Sequence, residues 1–441
     1  MRLPVIAFLA FIIVGAILLW IPPATTQPIT FVDALFTSTS ATCVTGLGVV
    51  DTGTRFTIFG KSVMIILMEV GGLGIMTFST LLLLVANGKA GFTGQAVITS
   101  SFTQADGSYS HKLILKEVAK FASIIQGIGA IIFFTQVPQY ALFDRIFFSI
   151  FHAVSAFCNA GFSTLPSNFM DYQANWIFSL NTCFLIVTGG IGFITLSEIF
   201  KMRSPSVFRR QRLSLHSKLA VITTIILIVV GTVAILVFDW NDTMNGMSLG
   251  NRILASLFQS VTSRTAGFNT LDIGMLSAPT LLVIMILMYI GGSPGSCAGG
   301  IKTTTGAVLA ALGFNRFLGR EKTQILNRTI PSEIIESATR LFIISVSLLV
   351  VAVLAITTIE SWNLAGPNSH GILIKAMFES ISAFATCGLS MNWTPTLTDA
   401  SKLILVALMY IGRLGPLGII TAVSKPSQER SWYAEEQIMI G

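Results

Sequence analysis

Long apolar runs, separated by short polar stretches, recur along the whole chain at 4–21, 62–86, 114–134, 176–200, 219–238, 341–359 and 403–423. About 20 mostly apolar residues cross a bilayer core as a helix, so each run predicts a spanning helix. The run 280–290 is apolar but too short to cross alone. Shorter amphipathic segments such as "FVDALFTSTS" and "IKAMFESIS" lie between long runs and are also too short to span. The period-2 alternation of an outer-membrane barrel is absent. The pattern predicts an all-α integral membrane protein.

The short segments lead into one repeated motif. Aligned on glycine, "SATCVTG", "SAFCNAG", "VTSRTAG" and "SAFATCG" end at Gly46, Gly161, Gly267 and Gly388, about 105 to 120 residues apart. A second motif follows each: "EVGGLGIMTFS", "VTGGIGFITLS", "YIGGSPGSCAGG" and "YIGRLGPLGII". The spacing from the glycine to the middle of the second motif is 26, 29, 25 and 25 residues. Two motifs at matched spacing in four copies mark an internal repeat. The expected units are 1–86, 87–200, 201–318 and 319–424, each a spanning helix, a re-entrant half-helix, a glycine turn and a spanning helix. Their pore loops fall near 31–47, 144–163, 251–269 and 371–390, and 425–441 is left as a cytoplasmic tail.

Irregular backbone at membrane depth is tolerated only where protein buries it or where it lines a water-filled cavity. Four glycine turns meeting on one axis would present a ring of carbonyls able to replace a monovalent cation's hydration shell. Glycine accepts positive φ without a Cβ clash. The half-helices would aim their partly negative C-termini at the same point, which favours a cation. Repeats and broken helices also occur in alternating-access transporters, though there the repeats are often inverted. That is the competing reading.

Charge refines the topology. The chain is 53% hydrophobic and only 11% charged, with net charge +7. Lys201, Arg203, Arg209, Arg210, Arg212 and Lys218 crowd one loop; Lys302, Arg316, Arg320, Lys322, Arg328 and Arg340 lie around another. Lys89, Lys112, Lys116 and Lys120 mark a third, while alternate loops hold fewer. The positive-inside rule makes these loops cytoplasmic and puts the N-terminus in the cytoplasm. Beside so many spans the basic runs are not nucleic-acid patches. Arg2 before the first span permits a signal-peptide reading, but "IPPATTQP" offers no small-residue cleavage site, so the span is expected to remain.

Other chemistries find little support. Cys43, Cys158, Cys183, Cys297 and Cys387 have no CxxC spacing, and His111, His152, His216 and His370 form no ligand pair. In "GSCAGGIKT", Ile301 separates Gly300 from Lys302, so the phosphate-loop pattern fails. The chain is not expected to be an enzyme.

With these motifs in order, "ATCVTG", "FCNAGFS", "SRTAGFNT", "ATCGLS", "GGSPGSCAGGIKTTT" and "YIGRLGPLG", the sequence resembles the Trk/Ktr/HKT potassium transporter family over nearly its whole length. Starting directly at the first span, it is most similar to the membrane subunit of the bacterial Ktr system. The resemblance implies a potassium-channel-like arrangement around one central pore and potassium uptake across the cytoplasmic membrane, with sodium either coupled or stimulating. It implies a selectivity filter at Thr42, Cys43, Val44, Thr45 and Gly46, at Cys158, Asn159, Ala160 and Gly161, at Arg264, Thr265, Ala266 and Gly267, and at Thr386, Cys387 and Gly388. Potassium would be held by the filter carbonyls. It implies a homodimer and a cytoplasmic Ktr-type ring of nucleotide-binding regulatory subunits. No dinucleotide-binding βαβ unit lies in this chain, so the nucleotide belongs to that separate partner. One glycine per repeat, against two in a TVGYG filter, implies fewer well-formed ion sites.

Two features then read as a gate. The stretch after 280–290 is small and flexible: Gly291, Gly292, Ser293, Pro294, Gly295, Ser296, then Gly299, Gly300 and Lys302. A helix of normal length would include it, so an interrupted helix is expected. The resemblance makes it an intramembrane loop beneath the filter; a plain cytoplasmic loop is the alternative. Arg413 holds the position occupied by Gly72, Gly190 and Gly292 in the other repeats. An arginine inside a span faces a cavity or a partner. It would repel cations on their path, or pair with Glu69. Arg264 is expected either to brace the pore loop through carbonyls or to sit in the outer mouth. Asp33, Asp144, Glu379 and Asp399 are candidates for concentrating cations there.

Overall fold

The computed structural model describes residues 2–74, 111–202, 213–362 and 370–415. The expected loop basics at 203–212, Lys89 and the tail 425–441 lie outside these residues. Four helix triplets follow one another. Each has an outer helix (Arg2–Trp20, His111–Gln136, Leu215–Phe238, Ser332–Ser361), a short pore helix (Phe31–Thr42, Leu142–Phe157, Leu249–Thr262, His370–Ala385) and an inner helix (Ile58–Gly72, Trp176–Gly190, Ala278–Tyr289, Asp399–Leu414). Side chains just before the helices define several starts. Thr30, Ser248, Thr57, Asn175 and Thr398 each accept a backbone N–H from the first turn.

The first and third pore helices wedge against their outer helices through small residues. Ser38 is fully buried and donates to Ile12 O at 2.7 Å, facing Gly15 of the outer helix. Ser260 donates to Ile228 O at 2.9 Å and faces Gly231 in the same way. Small residues let these backbones approach closely, as in membrane helix packing generally. The outer helices turn residues such as Ile131, Val230 and Val351 outward, as a lipid-facing surface requires. Stretches within three of them (Val118–Gln136, Leu215–Phe238, Ser332–Ser361) are long and apolar enough to cross a membrane.

The triplets close into a ring. The inner helix of each packs on the pore helix of the next, and the fourth inner helix packs on the first pore helix. On the ring's rim, Lys402 of the fourth triplet pairs with Asp33 of the first at 2.8 Å.

The inner helices depart from the expected spans. The run 176–200 is two helices, Trp176–Gly190 and Phe193–Met202, broken at Gly192, whose φ is +95°. A Cβ there would lie 2.6 Å from Pro294 O. The described parts of the runs 62–86 and 403–423 belong to helices that stop at Gly72 and Leu414, followed by Gly74 (φ +88°) and Gly415 (φ +79°). The third inner helix stops at Tyr289, and Thr303–Phe317 resumes after an irregular segment, as expected. Beyond it, Gln324–Ile325 and Arg328–Thr329 form a small antiparallel hairpin that the sequence pattern did not indicate.

Candidate functional site

Each pore helix runs into a left-handed turn. The residue two before the motif glycine has positive φ in all four copies: Val44 (+57°), Asn159 (+60°), Thr265 (+74°) and Thr386 (+50°). The glycines follow at +92°, +69°, +81° and +92°, while Thr45, Ala160, Ala266 and Cys387 between them lie outside that region. Alternating the hand of successive residues turns successive carbonyls to the same side, the complement of the backbone N–H concavity formed by αR–αL pairs. Positive φ is costly for β-branched residues. Three of the four residues at this position are β-branched, so surrounding structure must hold them.

That structure is visible. A Cβ on Gly46 would meet Ala160 O at 2.5 Å and Gly161 Cα at 2.9 Å; on Gly161, Ala266 O at 2.7 Å and Gly267 Cα at 2.9 Å. On Gly267 it would meet Cys387 O at 2.6 Å and Gly388 Cα at 3.2 Å, and on Gly388, Thr45 O and Gly46 Cα. The four turns therefore touch in a closed circle, each against the carbonyl preceding the next glycine. Serines lock three turns. Ser40, Ser155 and Ser382 accept, through their carbonyls, the N–H of Thr45, Ala160 and Cys387 at 2.7, 2.7 and 2.8 Å. The Ser40 and Ser382 hydroxyls also accept from Gly46 N and Gly388 N, both at 3.0 Å. These serines were not picked out from sequence, although three of the four stretches have serine six residues before the glycine.

The second motif exists to receive the first. A Cβ on Gly71, Gly189 or Gly412 would strike the carbonyl of Thr42, Phe157 or Phe384 at the end of a pore helix. One on Gly71 would also lie 2.9 Å from the Val44 side chain, and one on Gly190 3.2 Å from Asn159 Nδ2.

On the glycine side the ring opens into a cavity of about 210 Å³, with Gly46, Gly161, Gly267 and Gly388 in its wall together with Asp51, Ser163 and Asn392. Of the expected mouth carboxylates, Glu379 is not there. It is fully buried and accepts from Ser390 Oγ, Met391 N and Thr394 Oγ1 at 2.6, 3.1 and 2.7 Å. Asp33 is tied to Lys402, whose ammonium also lies 3.7 Å from Asp399. Asp144 is exposed at the start of the second pore helix. The carboxylate lining the cavity is Asp51, which the sequence reading passed over; it caps Thr54 at 2.7 Å. Arg264 takes neither expected role. Its side chain is turned to the outer helix, donating to Thr224 Oγ1 at 3.2 Å, so only its backbone belongs to the turn.

On the opposite side the ring meets the irregular segment 290–302. A Cβ on Gly291 would lie 3.1 Å from the Thr265 side chain, one on Gly299 would collide with Thr386, and one on Gly300 would lie 3.2 Å from Ala385 Cα. Gly291 to Ser293 and Cys297 to Gly299 are buried. The segment is pinned to the break in the second inner helix: Ser293 N donates to Gly190 O at 2.9 Å, Cys297 N to Gly189 O at 3.2 Å and Phe193 N to Gly295 O at 3.0 Å. It closes on itself through Gly291 N to Ile301 O, 2.9 Å, and Lys302 Nζ to Ala298 O, 2.6 Å. Arg413 reaches it from the fourth triplet, donating to Cys297 O and to Gly71 O. Among the described residues Arg413 forms no ion pair with Glu69, which instead accepts from Cys158 Sγ at 3.7 Å. The segment is thus packed against the underside of the ring between the third inner helix and Thr303–Phe317. Among the described residues there is no cluster of metal-ligating side chains.

A re-entrant ring of this kind defines a membrane transport protein. Residues 4–433 match the family model described as "TrkH: Cation transport protein", and the chain belongs to this family of transport proteins. It is 37% identical to Ktr system potassium uptake protein B of Bacillus subtilis (strain 168), covering 99% of this chain and 95% of that protein. It is 36% identical to the potassium/sodium uptake protein NtpJ of Enterococcus hirae, covering 98% and 95%. With Ktr system potassium uptake protein B of Vibrio alginolyticus the identity is 33%, over 100% of this chain and 94% of the other. The crystal structure of the potassium transporter TrkH from Vibrio parahaemolyticus shares the fold, with TM-score 0.70 and 18% identity over 95% of this chain and 83% of that one.

Proposed function

We propose that this chain is the potassium-translocating membrane subunit of a bacterial Ktr-type uptake system. The carbonyls of the four turns, at Thr42 to Gly46, Cys158 to Gly161, Arg264 to Gly267 and Thr386 to Gly388, replace the hydration shell of K⁺. The C-terminal ends of the pore helices add negative potential there. The loop from Gly291 to Lys302 obstructs the inner exit, and Arg413 holds it and repels cations. The observation that carries this reading is the closed circle of four turns with alternating backbone hand. The names of the curated relatives, potassium uptake and potassium/sodium uptake, support K⁺ as the ion and leave Na⁺ as a coupled or stimulating ion.

The four repeats are 1–86, 87–200, 201–318 and 319–424. The chain lies in the cytoplasmic membrane, multi-pass, with its N-terminus and the basic loops inside. It works as a homodimer on a separate cytoplasmic nucleotide-binding regulatory ring, as the "system" in the relatives' names suits, and the tail 425–441 serves those contacts.

The test is K⁺-driven flux in liposomes holding the purified chain. Gly267→Ser should lower the preference for K⁺ over Na⁺, and deletion of residues 293–299 should speed flux. Folded variants with unchanged preference and rate would overturn the assignment.

A further inference from the structure

The residue nine before each motif glycine is Thr37, His152, Phe258 or Glu379. His152 is fully buried, and its Nδ1 lies 2.8 Å from Phe148 O. A carbonyl only accepts, so Nδ1 carries the proton and Nε2 is an acceptor. Nε2 faces Ser163 Oγ at 3.1 Å and Thr164 N at 3.3 Å, the second and third residues past Gly161. In the fourth triplet Glu379 does the same with different chemistry, accepting from Ser390 and Met391, the second and third residues past Gly388. In the third, Gln259 stands one residue further along the helix. Its amide oxygen, turned to the return strand, accepts from Thr270 N at 3.3 Å and Leu271 N at 3.1 Å. The first triplet lacks the device: Thr37 donates within its own helix to Asp33 O at 2.8 Å, and the matching return residue is Gly48.

We propose that His152, Gln259 and Glu379 are positioning residues that fix the separation between three pore helices and the strands leaving the carbonyl ring, and so set how well the ring discriminates K⁺ from Na⁺. This rests on the filter reading above. A carbonyl ring selects by ligand number and geometry, and its strands are strained at positive φ, so they hold their shape only if both ends are anchored. In the strutted turns the pore-helix end is anchored by the carbonyls of Ser155, Thr262 and Ser382, which accept from Ala160 N, Ala266 N and Cys387 N at 2.7, 2.9 and 2.8 Å; the struts anchor the outer end. The side chains touch no ion. They act through Ser163, Thr164, Ser390, Met391, Thr270 and Leu271. Three different residue types each reach from the pore helix to the chain two to four residues past the motif glycine, which argues that the contact is what the ring requires.

The experiment measures K⁺ and Na⁺ flux in liposomes for His152→Phe, which keeps the ring packing, and Glu379→Leu, with His152→Gln and Glu379→Gln as conservative partners and Gly267→Ser as control. Each apolar variant should lower the K⁺-to-Na⁺ preference by roughly threefold to tenfold, while K⁺ flux at saturating ion stays within about twofold. Both glutamine variants should retain the preference. If the apolar variants do not fold, Ser163→Ala and Ser390→Ala remove the donors from the other side and should lower preference by about twofold to threefold. A merely structural role would change yield or melting and leave ion preference alone. Unchanged preference in the folded variants, with Gly267→Ser altered, would overturn the struts. Unchanged preference in Gly267→Ser as well would overturn the filter itself.

Discussion

Arg413 carries the heaviest single task among the side chains described. It is the arginine in a row of glycines, and its guanidinium spans two carbonyls from different parts of the chain, Cys297 O and Gly71 O. Charge-assisted hydrogen bonds are roughly twice as strong as neutral ones, and a guanidinium offers its donors as a rigid fork. The loop is therefore held by a group from outside its own triplet. Arg413→Ala should release it, raising basal K⁺ flux in liposomes by about tenfold, which corresponds to about 1.4 kcal/mol of lost preference for the obstructed state. Arg413→Lys should rescue only in part, because one ammonium replaces a fork. Flux at the wild-type rate in a folded Arg413→Ala protein would deny the tether.

At the scale of elements, the breaks in the inner helices decide where the loop can sit. Gly192 is left-handed and lies beside Pro294 O, and the break exposes Gly189 O and Gly190 O as acceptors for the loop. Gly192→Ala should cost about 1–2 kcal/mol from backbone conformation alone and dislodge the loop. Cys297, buried in the wild type, should then react with a maleimide several-fold faster, as read by peptide mass mapping. Much of this architecture is legible in sequence. The apolar runs place the helices, the recurrent glycines place the turns, and the shortness of 280–290 exposes the interrupted third inner helix. The break at Gly192 is hidden because residues on both sides are apolar, and an apolar run does not say whether it is one helix or two. What the break meets is the loop at Pro294, about 100 residues away. Glu379 misleads for a related reason: its position at a pore mouth suggests solvent, whereas its three partners are supplied by the strand after Gly388.

At the scale of the whole molecule, the ring depends on closing the fourth triplet onto the first. Lys402 and Asp33 join across that seam with their side chains only 10% and 15% exposed. Exposed pairs contribute under about 1 kcal/mol and breaking a buried pair costs about 3–5 kcal/mol, so Asp33→Asn should cost between these, roughly 2 kcal/mol. The check is a lower melting temperature in detergent, with Lys402→Met adding little on top of Asp33→Asn. Additive losses would mean the seam does not rely on this pair.

A ring of four units strung on one chain has a freedom that a ring of four identical chains lacks. In an assembly of identical subunits, any residue placed at the axis appears there four times. An arginine from each would crowd four like charges around one point, and four loops the size of 290–302 would compete for the same space beneath the carbonyls. Here one unit carries the loop, another the arginine that holds it, a third the broken helix on which it rests, and the first has the strand without a strut. The segment beneath the ring can therefore be asymmetric while the ring itself stays nearly symmetric. Division of labour among copies follows directly from their being joined.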